Sequence, residues 1–291
     1  MHPIHILFAL IIIAIWAGNF VAAKYALEFL PAFLLTGLRF VIVAALIIPF
    51  VKPPSKAQLR AILFISVINA MHFALPYAAL AMGLSVASTA LTMQLGIPFS
   101  CLLGAIILKD HLGPWRSLGM AIAFGGMLII FGEPNVLDHQ FAFLITVLGA
   151  FLFGWANLML KRLNDVGAFQ LIGWMSLFMI PPNLILSIMF EAHAWPDLTQ
   201  ITALPLMGLV YTAIGASIVG HGLWFVLLQR YPITYVAPYP LLVPVVSAFF
   251  ALWLFDEPIT IELILGGLIT LAGVGIIVLR RPKLVELAEK T

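Results

Sequence analysis

Residues 218–260 read IVGHGLWFVLLQRYPITYVAPYPLLVPVVSAFFALWLFDEPIT, and the fold turns on this stretch. Two long apolar runs flank a short polar turn made of Gln229, Arg230, Tyr231 and Pro232. Each run is long enough to be a membrane helix, which needs about 20 apolar residues. The second opens with Pro238, Pro240 and Pro244 and closes on Asp256, Glu257 and Pro258. A proline has no N–H to donate, and its ring clashes with the preceding turn. Three of them near one helix end leave carbonyls without partners at membrane depth. Lipid tolerates such backbone only beside protein or a water-filled cavity. Transporters place interrupted helices of this kind at their substrate sites.

The rest of the chain agrees with a membrane setting. Of its 291 residues, 63% are hydrophobic and 9% charged, with a mean hydropathy of +1.14. A soluble domain carries about 25% charged residues. The expected class is therefore an all-α integral membrane protein. The lone cysteine, Cys101, excludes an intrachain disulfide framework and a cysteine-built metal site. No cleavable leader is expected, because residues 1–5 lack Lys and Arg. Ten runs qualify as spans: 5–23, 32–51, 59–82, 86–108, 115–132, 141–160, 169–190, 203–229, 235–255 and 262–279.

With ten spans, the basic residues divide unevenly. Twelve of the 14 lysines and arginines fall on the side that holds residue 1, here called side one. Lys24 alone falls on side two, and Arg39 lies inside the second run. The positive-inside rule then makes side one cytoplasmic, with both termini inside and the chain multi-pass in the cell (inner) membrane. A net charge of +2, spread over loops, implies no nucleic-acid partner.

The chain also repeats. Ala237, Glu257, Gly266 and Gly273 follow Ala90, Asp110, Gly119 and Gly126 at one offset of 147. Two five-helix units follow, 1–134 and 140–281, with residues 282–291 left as a cytoplasmic tail. Five is odd, so the units insert with opposite polarity. That is the inverted repeat of secondary transporters, whose substrate site lies near the midplane between the halves. Gly119, Gly126, Gly266 and Gly273 mark small-residue faces that suit close helix packing within the fold or a homodimer interface.

The motifs Trp16-Ala-Gly-Asn19-Phe20 with Lys24, Gly37-Leu38-Arg39-Phe40, and the acidic ends Asp110 and Asp256-Glu257 resemble the EamA-type drug/metabolite transporter family. Ile218-Val219-Gly220, Val236-Ala237-Pro238 and Leu241-Leu242-Val243-Pro244 are similar to its O-acetylserine/cysteine exporter branch. The resemblance spans both halves. It implies alternating access and export of amino acids or related small metabolites. Export of drugs or sugar derivatives on the same fold stays open beside it.

Several polar and aromatic residues in the runs are candidates for substrate contact. They are Trp16, Asn19, Arg39, Asn69, His72, Tyr77, Gln94, Trp155, Asn157, His221, Trp224 and Tyr239. Amides beside aromatic rings suit zwitterionic amino acids, although an amide can equally bond between helices. Arg39 either holds a substrate carboxylate or ties its helix to helix-end carbonyls or an acidic partner; the resemblance favours the second. A charge at that depth costs roughly 2.5–3.5 kcal/mol on insertion scales. His72 and His221 are candidates for proton coupling, or neutral rings bonded to carbonyls. Rise per residue puts them on opposite sides of the midplane, exposed in turn.

No cofactor or metal is expected, since no HExxH or similar spacing occurs. Ser217 and His221 sit four apart, which a membrane protease could use, but no G-x-S-x-G is present. A channel would want rings of charge or a filter motif. The sequence therefore argues against an enzyme and against a channel.

Overall fold

The computed structural model of the chain describes residues 1–279 apart from 108, 110, 111, 161, 162, 164 and 232. Asp110, Lys161, Arg162, Pro232 and the tail from 280 onward lie outside the described residues. The ten-helix order is α1 Pro3–Leu27, α2 Ala32–Ile47, α3 Lys56–Ala81, α4 Val86–Ile107, α5 Pro114–Phe131, α6 Gln140–Leu160, α7 Ala168–Glu191, α8 Ala203–Arg230, α9 Tyr239–Phe255 and α10 Ile261–Leu279. Among the described residues nine of these are long and apolar enough to cross a membrane, and α9 is shorter.

Local chemistry sets the helix starts. Pro3 and Pro114 stand at first-turn positions of α1 and α5, where a missing N–H costs nothing. Ser55 and Gln58 form a capping box on α3, and Ser85 caps α4 through Ser88 N–H. For α2, which follows Pro31, the cap comes from another helix. The Glu191 carboxylate at the end of α7 accepts Phe33 N–H at 3.0 Å and Leu34 N–H at 3.1 Å. A carboxylate suits that place, because a helix N-terminus carries unsatisfied donors and partial positive charge.

Two spans depart from the sequence expectation. The run 86–108 is not one helix. It breaks at Gln94 and Leu95 into Val86–Met93 and Gly96–Ile107. The run 235–255 is regular only from Val243, after the short turns Ile233–Val236 and Tyr239–Leu242. At the offset of 147, Gln94 corresponds to Leu241, so both repeats interrupt the same helix at the same place.

The two-fold relation continues through the packing. Lys109 and Asp256 are 147 apart, and both adopt left-handed backbone, with φ of 55° and 52°. Helix α1 packs on α8 and α9, while α6 packs on α3 and α4, so one contact scheme is made twice. The pseudo-axis passes between α5 and α10, where Thr270 Oγ1 donates to the carbonyl of its own counterpart, Ala123, at 3.4 Å. A Cβ on Gly119 would stand 2.7 Å from Gly273 O, and one on Gly126 would stand 2.7 Å from Gly266 O. The small-residue faces are thus spent on packing α5 against α10 inside one chain, which closes these faces to a second copy.

Side two is held by carboxylates. Glu257 pairs with Lys24 Nζ through one oxygen, and the other accepts Val86 N–H at 2.9 Å. This joins the end of α1, the start of α4 and the end of α9. Asn135, in the short helix Pro134–Asp138 that links the repeats, accepts Ser85 N–H at 2.8 Å and donates to Gly83 O at 3.1 Å.

Candidate functional site

A cavity of about 330 Å³ lies between the two repeats. Its walls come from α1, α2 and α3 of one half and α6, α7 and α8 of the other, the matching helices of each repeat. The lining runs from Leu160 and Leu171, near the side-one ends of α6 and α7, to Trp16 and Phe40 midway along α1 and α2. The carboxylate bridges of side two lie beyond its inner end.

Six of the residues singled out in the sequence meet on this lining: Trp16, Asn69, His72, Asn157, His221 and Trp224. Trp16 packs its ring 5.3 Å from His221 and 5.7 Å from Trp224, centroid to centroid. Its approach needs Gly220, where a Cβ would stand 2.6 Å from the indole nitrogen. The indole N–H is buried without a partner among the described residues. His72 is flanked by Phe73 at 4.6 Å and Phe153 at 4.8 Å.

Both histidines are fixed by backbone. His72 Nδ1 lies 3.1 Å from Gly149 O, and His221 Nδ1 lies 2.9 Å from Ala216 O. A carbonyl only accepts, so each Nδ1 carries the hydrogen, and each neutral ring keeps Nε2 as an acceptor. Both rings line the same cavity, so the two candidates for proton coupling meet in one place.

Arg39, Tyr77 and Asn19 form a chain of bonds behind the lining. Arg39 Nη1 donates to Tyr77 Oη at 2.7 Å, and Tyr77 O–H donates to Asn19 Oδ1 at 2.9 Å. Arg39 Nε donates to Ser217 Oγ at 2.9 Å. Ser217 then donates to Thr212 O, five residues back, at 3.0 Å. That spacing reflects the local backbone, because Tyr211–Gly220 is a π-helix inside α8. Wide turns of this kind occur often at functional sites. With Ser217 committed to Arg39 and Thr212, and His221 Nδ1 to Ala216, the pair does not form the nucleophile–base contact a protease would need.

The remaining candidates are not on the cavity lining. Gln94 Nε2 donates to Pro240 O at 3.2 Å, so the two helix breaks meet each other. Tyr239 packs in an apolar cluster with Ile12, Leu227 and the cavity-lining Trp16 and Trp224. Trp155 turns toward Phe64 and Phe151, with ring centroids 6.5 Å away in each case. The proline-rich stretch of 238–244 therefore borders the break in α4 and contributes no residue to the cavity lining.

Sequence reasoning passed over Phe40, Phe73, Phe153, Phe225, Met175, Met179 and Ser176, all of which line the cavity. An apolar residue on a membrane helix carries no mark of whether it faces lipid or cavity. Ser217 was noted only as half of a protease pair.

The pattern of the EamA-like transporter family matches residues 3–132 and again residues 140–279. The chain belongs to the EamA-like transporter family. This EamA-like chain carries the family unit twice, and it is a membrane transporter and not an enzyme. It is 31% identical over 274 residues to a probable amino-acid metabolite efflux pump of Salmonella typhimurium, covering 91% of each chain. It is 32% identical over 274 residues to a protein of the same description in Escherichia coli, again covering 91% of each. An uncharacterized transporter of Archaeoglobus fulgidus is 26% identical, with 93% of this chain and 95% of that one covered. A solved crystal structure superposes with a TM-score of 0.64 at 18% identity, covering 95% of this chain and 98% of that one, which shows a shared fold.

Proposed function

We propose that this EamA-like transporter exports amino acids or related small metabolites across the inner membrane by alternating access. The observation that carries the reading is the cavity between the repeats. At about 330 Å³ it falls at the small end of the ~300–1,000 Å³ range of small-molecule sites. Aromatic and aliphatic side chains supply most of its wall, and Asn69, Asn157 and the histidine Nε2 atoms supply a few polar contacts. Two relatives described as probable amino-acid metabolite efflux pumps support the cargo class.

In this reading side one faces the cytoplasm, and the cavity loads from there. The Lys24–Glu257 pair and the Glu191 cap hold side two shut while loading occurs. Return requires those carboxylate bridges to open and the side-one ends of α6, α7 and α8 to close. His72 and His221 are the groups through which a proton would compete with cargo, since their Nε2 atoms are acceptors within one cavity.

The test is reconstitution into liposomes, followed by counterflow of a panel of labelled amino acids. Accelerated exchange of a subset of them is expected. Exchange of a dye or a nucleotide sugar, with no amino acid exchanged, would replace this reading with the drug or sugar-derivative one.

A further inference from the structure

We propose that Arg39 is the carboxylate-recognition element of the cavity, so that the cargo is an anion or a zwitterion whose carboxylate supplies the counter-charge the guanidinium lacks. This rests on the transporter reading above and names the cargo class of the same cavity.

Arg39 is 2% exposed in the middle of a membrane helix. A structural arginine at such depth ends on a carboxylate or on helix-end carbonyls. This one does neither. Its hydrogen bonds go to two neutral hydroxyls, Ser217 Oγ and Tyr77 Oη. Ring faces also surround it, with Cζ 5.0 Å from Phe73, 5.4 Å from Phe40 and 5.9 Å from Tyr77. Hydroxyls and rings stabilise a cation without neutralising it. Among the described residues the ion pair is Lys24–Glu257, on side two. Nη2 bonds to no described residue, which leaves its two N–H donors for a carboxylate oxygen.

The position fits a ligand role. Ser217, Phe40 and Phe73 touch Arg39 and also line the cavity, so the guanidinium lies directly behind one wall. Among the described residues no Asp or Glu lines that cavity. Among the described residues an ammonium group there meets neutral acceptors, the amide oxygens of Asn69 and Asn157, the hydroxyls of Ser176 and Ser217 and the Nε2 atoms of the two histidines. A zwitterion or a monocarboxylate is matched by this arrangement, and a cation without a carboxylate is repelled by it.

The test uses the purified full chain in detergent, with tryptophan fluorescence as readout, since Trp16 and Trp224 line the cavity. The probes are phenylalanine, phenylalaninamide, 3-phenylpropionate and 3-phenylpropanamide, whose ring suits the aromatic walls. Each acid is expected to bind at least about tenfold more tightly than its amide, the factor one charge-assisted hydrogen bond supplies. In Arg39→Met the acid-to-amide ratio falls toward one, with Arg39→Lys between. A ratio taken within one variant is not mimicked by misfolding, which removes both ligands together. Should neither variant fold, the wild-type ratio decides. Equal binding of acid and amide, no binding of either acid, or an unchanged ratio in Arg39→Met overturns the proposal. If the acids are preferred but no amino acid moves in counterflow, the carboxylate subsite stands and the amino-acid cargo falls. If amino acids move and their amides compete equally, the reverse holds.

Discussion

Gln94 Nε2 donates to the carbonyl oxygen of Pro240 at 3.2 Å, joining the interruption of α4 to that of α9. In an unbroken helix Pro240 O would accept from residue 244, but Pro244 has no N–H. Val243 N–H and the Gln94 amide take the place of that donor. Gln94→Leu removes one of the two, and the expected loss is about 1 kcal/mol of stability. Thermal unfolding in detergent would read it, and an unchanged midpoint would show that Val243 alone suffices.

The glycine contact between α5 and α10 should be intolerant of a single methyl. A Cβ on Gly126 would lie 2.5 Å from Thr270 N and 2.7 Å from Gly266 O, both backbone atoms that cannot turn aside. Gly126→Ala is expected to cost about 1–3 kcal/mol. Its neighbour Gly125 has nothing within 4 Å, so Gly125→Ala serves as the control and should match or slightly exceed the wild type. Equal melting of the two variants would contradict the packing described.

Loss of the Glu257 charge should loosen side two. Glu257→Gln leaves Lys24 without its partner and weakens the acceptor for Val86 N–H. With a single cysteine at Met175 in a Cys101→Ser background, labelling from side two by an impermeant maleimide should rise about fivefold, the population shift that ~1 kcal/mol produces. Lys24→Glu with Glu257→Lys should restore closure only in part, because a lysine cannot accept from Val86 N–H. Unchanged labelling in Glu257→Gln would separate this ion pair from gating.

Proton coupling has a direct assay. The double variant His72→Gln, His221→Gln is expected to keep counterflow at a reduced rate and to lose the response to an imposed pH gradient. Concentration of cargo by that variant under the gradient would make both rings structural. In that case the bonds to Gly149 O and Ala216 O are their whole role.

Orientation follows from charge and can be checked with reporters. A reporter active only in the cytoplasm should work when fused after Thr291 and fail when inserted after Asp138 between the repeats. The opposite pattern would reverse the proposed direction of transport.

Much of this was legible in one dimension. Apolar run length set the spans, because a backbone in lipid has no water to satisfy it and must bond within its own helix. The offset of 147 carried the two-fold relation, and the left-handed backbone shared by Lys109 and Asp256 follows the same register. That register also held a signal that went unused: it maps the proline-rich interruption of α9 onto residues 91–97, where α4 breaks. Arg39 stood out by its charge alone, since few positions in the spans carry one.

Tertiary structure alone decided which residues share a cavity. Trp16, Asn69, Asn157 and Trp224 converge there while Gln94, Trp155 and Tyr239 turn elsewhere, although all seven look alike as polar or aromatic residues in apolar runs. The reason is physical. Hydropathy reports that a side chain leaves water, and lipid, helix–helix contact and a cavity wall all satisfy that condition equally. Choosing among them depends on the rotation of each helix about its axis, which the packing of α1–α3 against α6–α8 sets. The π-helix of α8 is a second case, for its extra residue per turn aims Ser217 at Arg39, a partner 178 positions away in the chain.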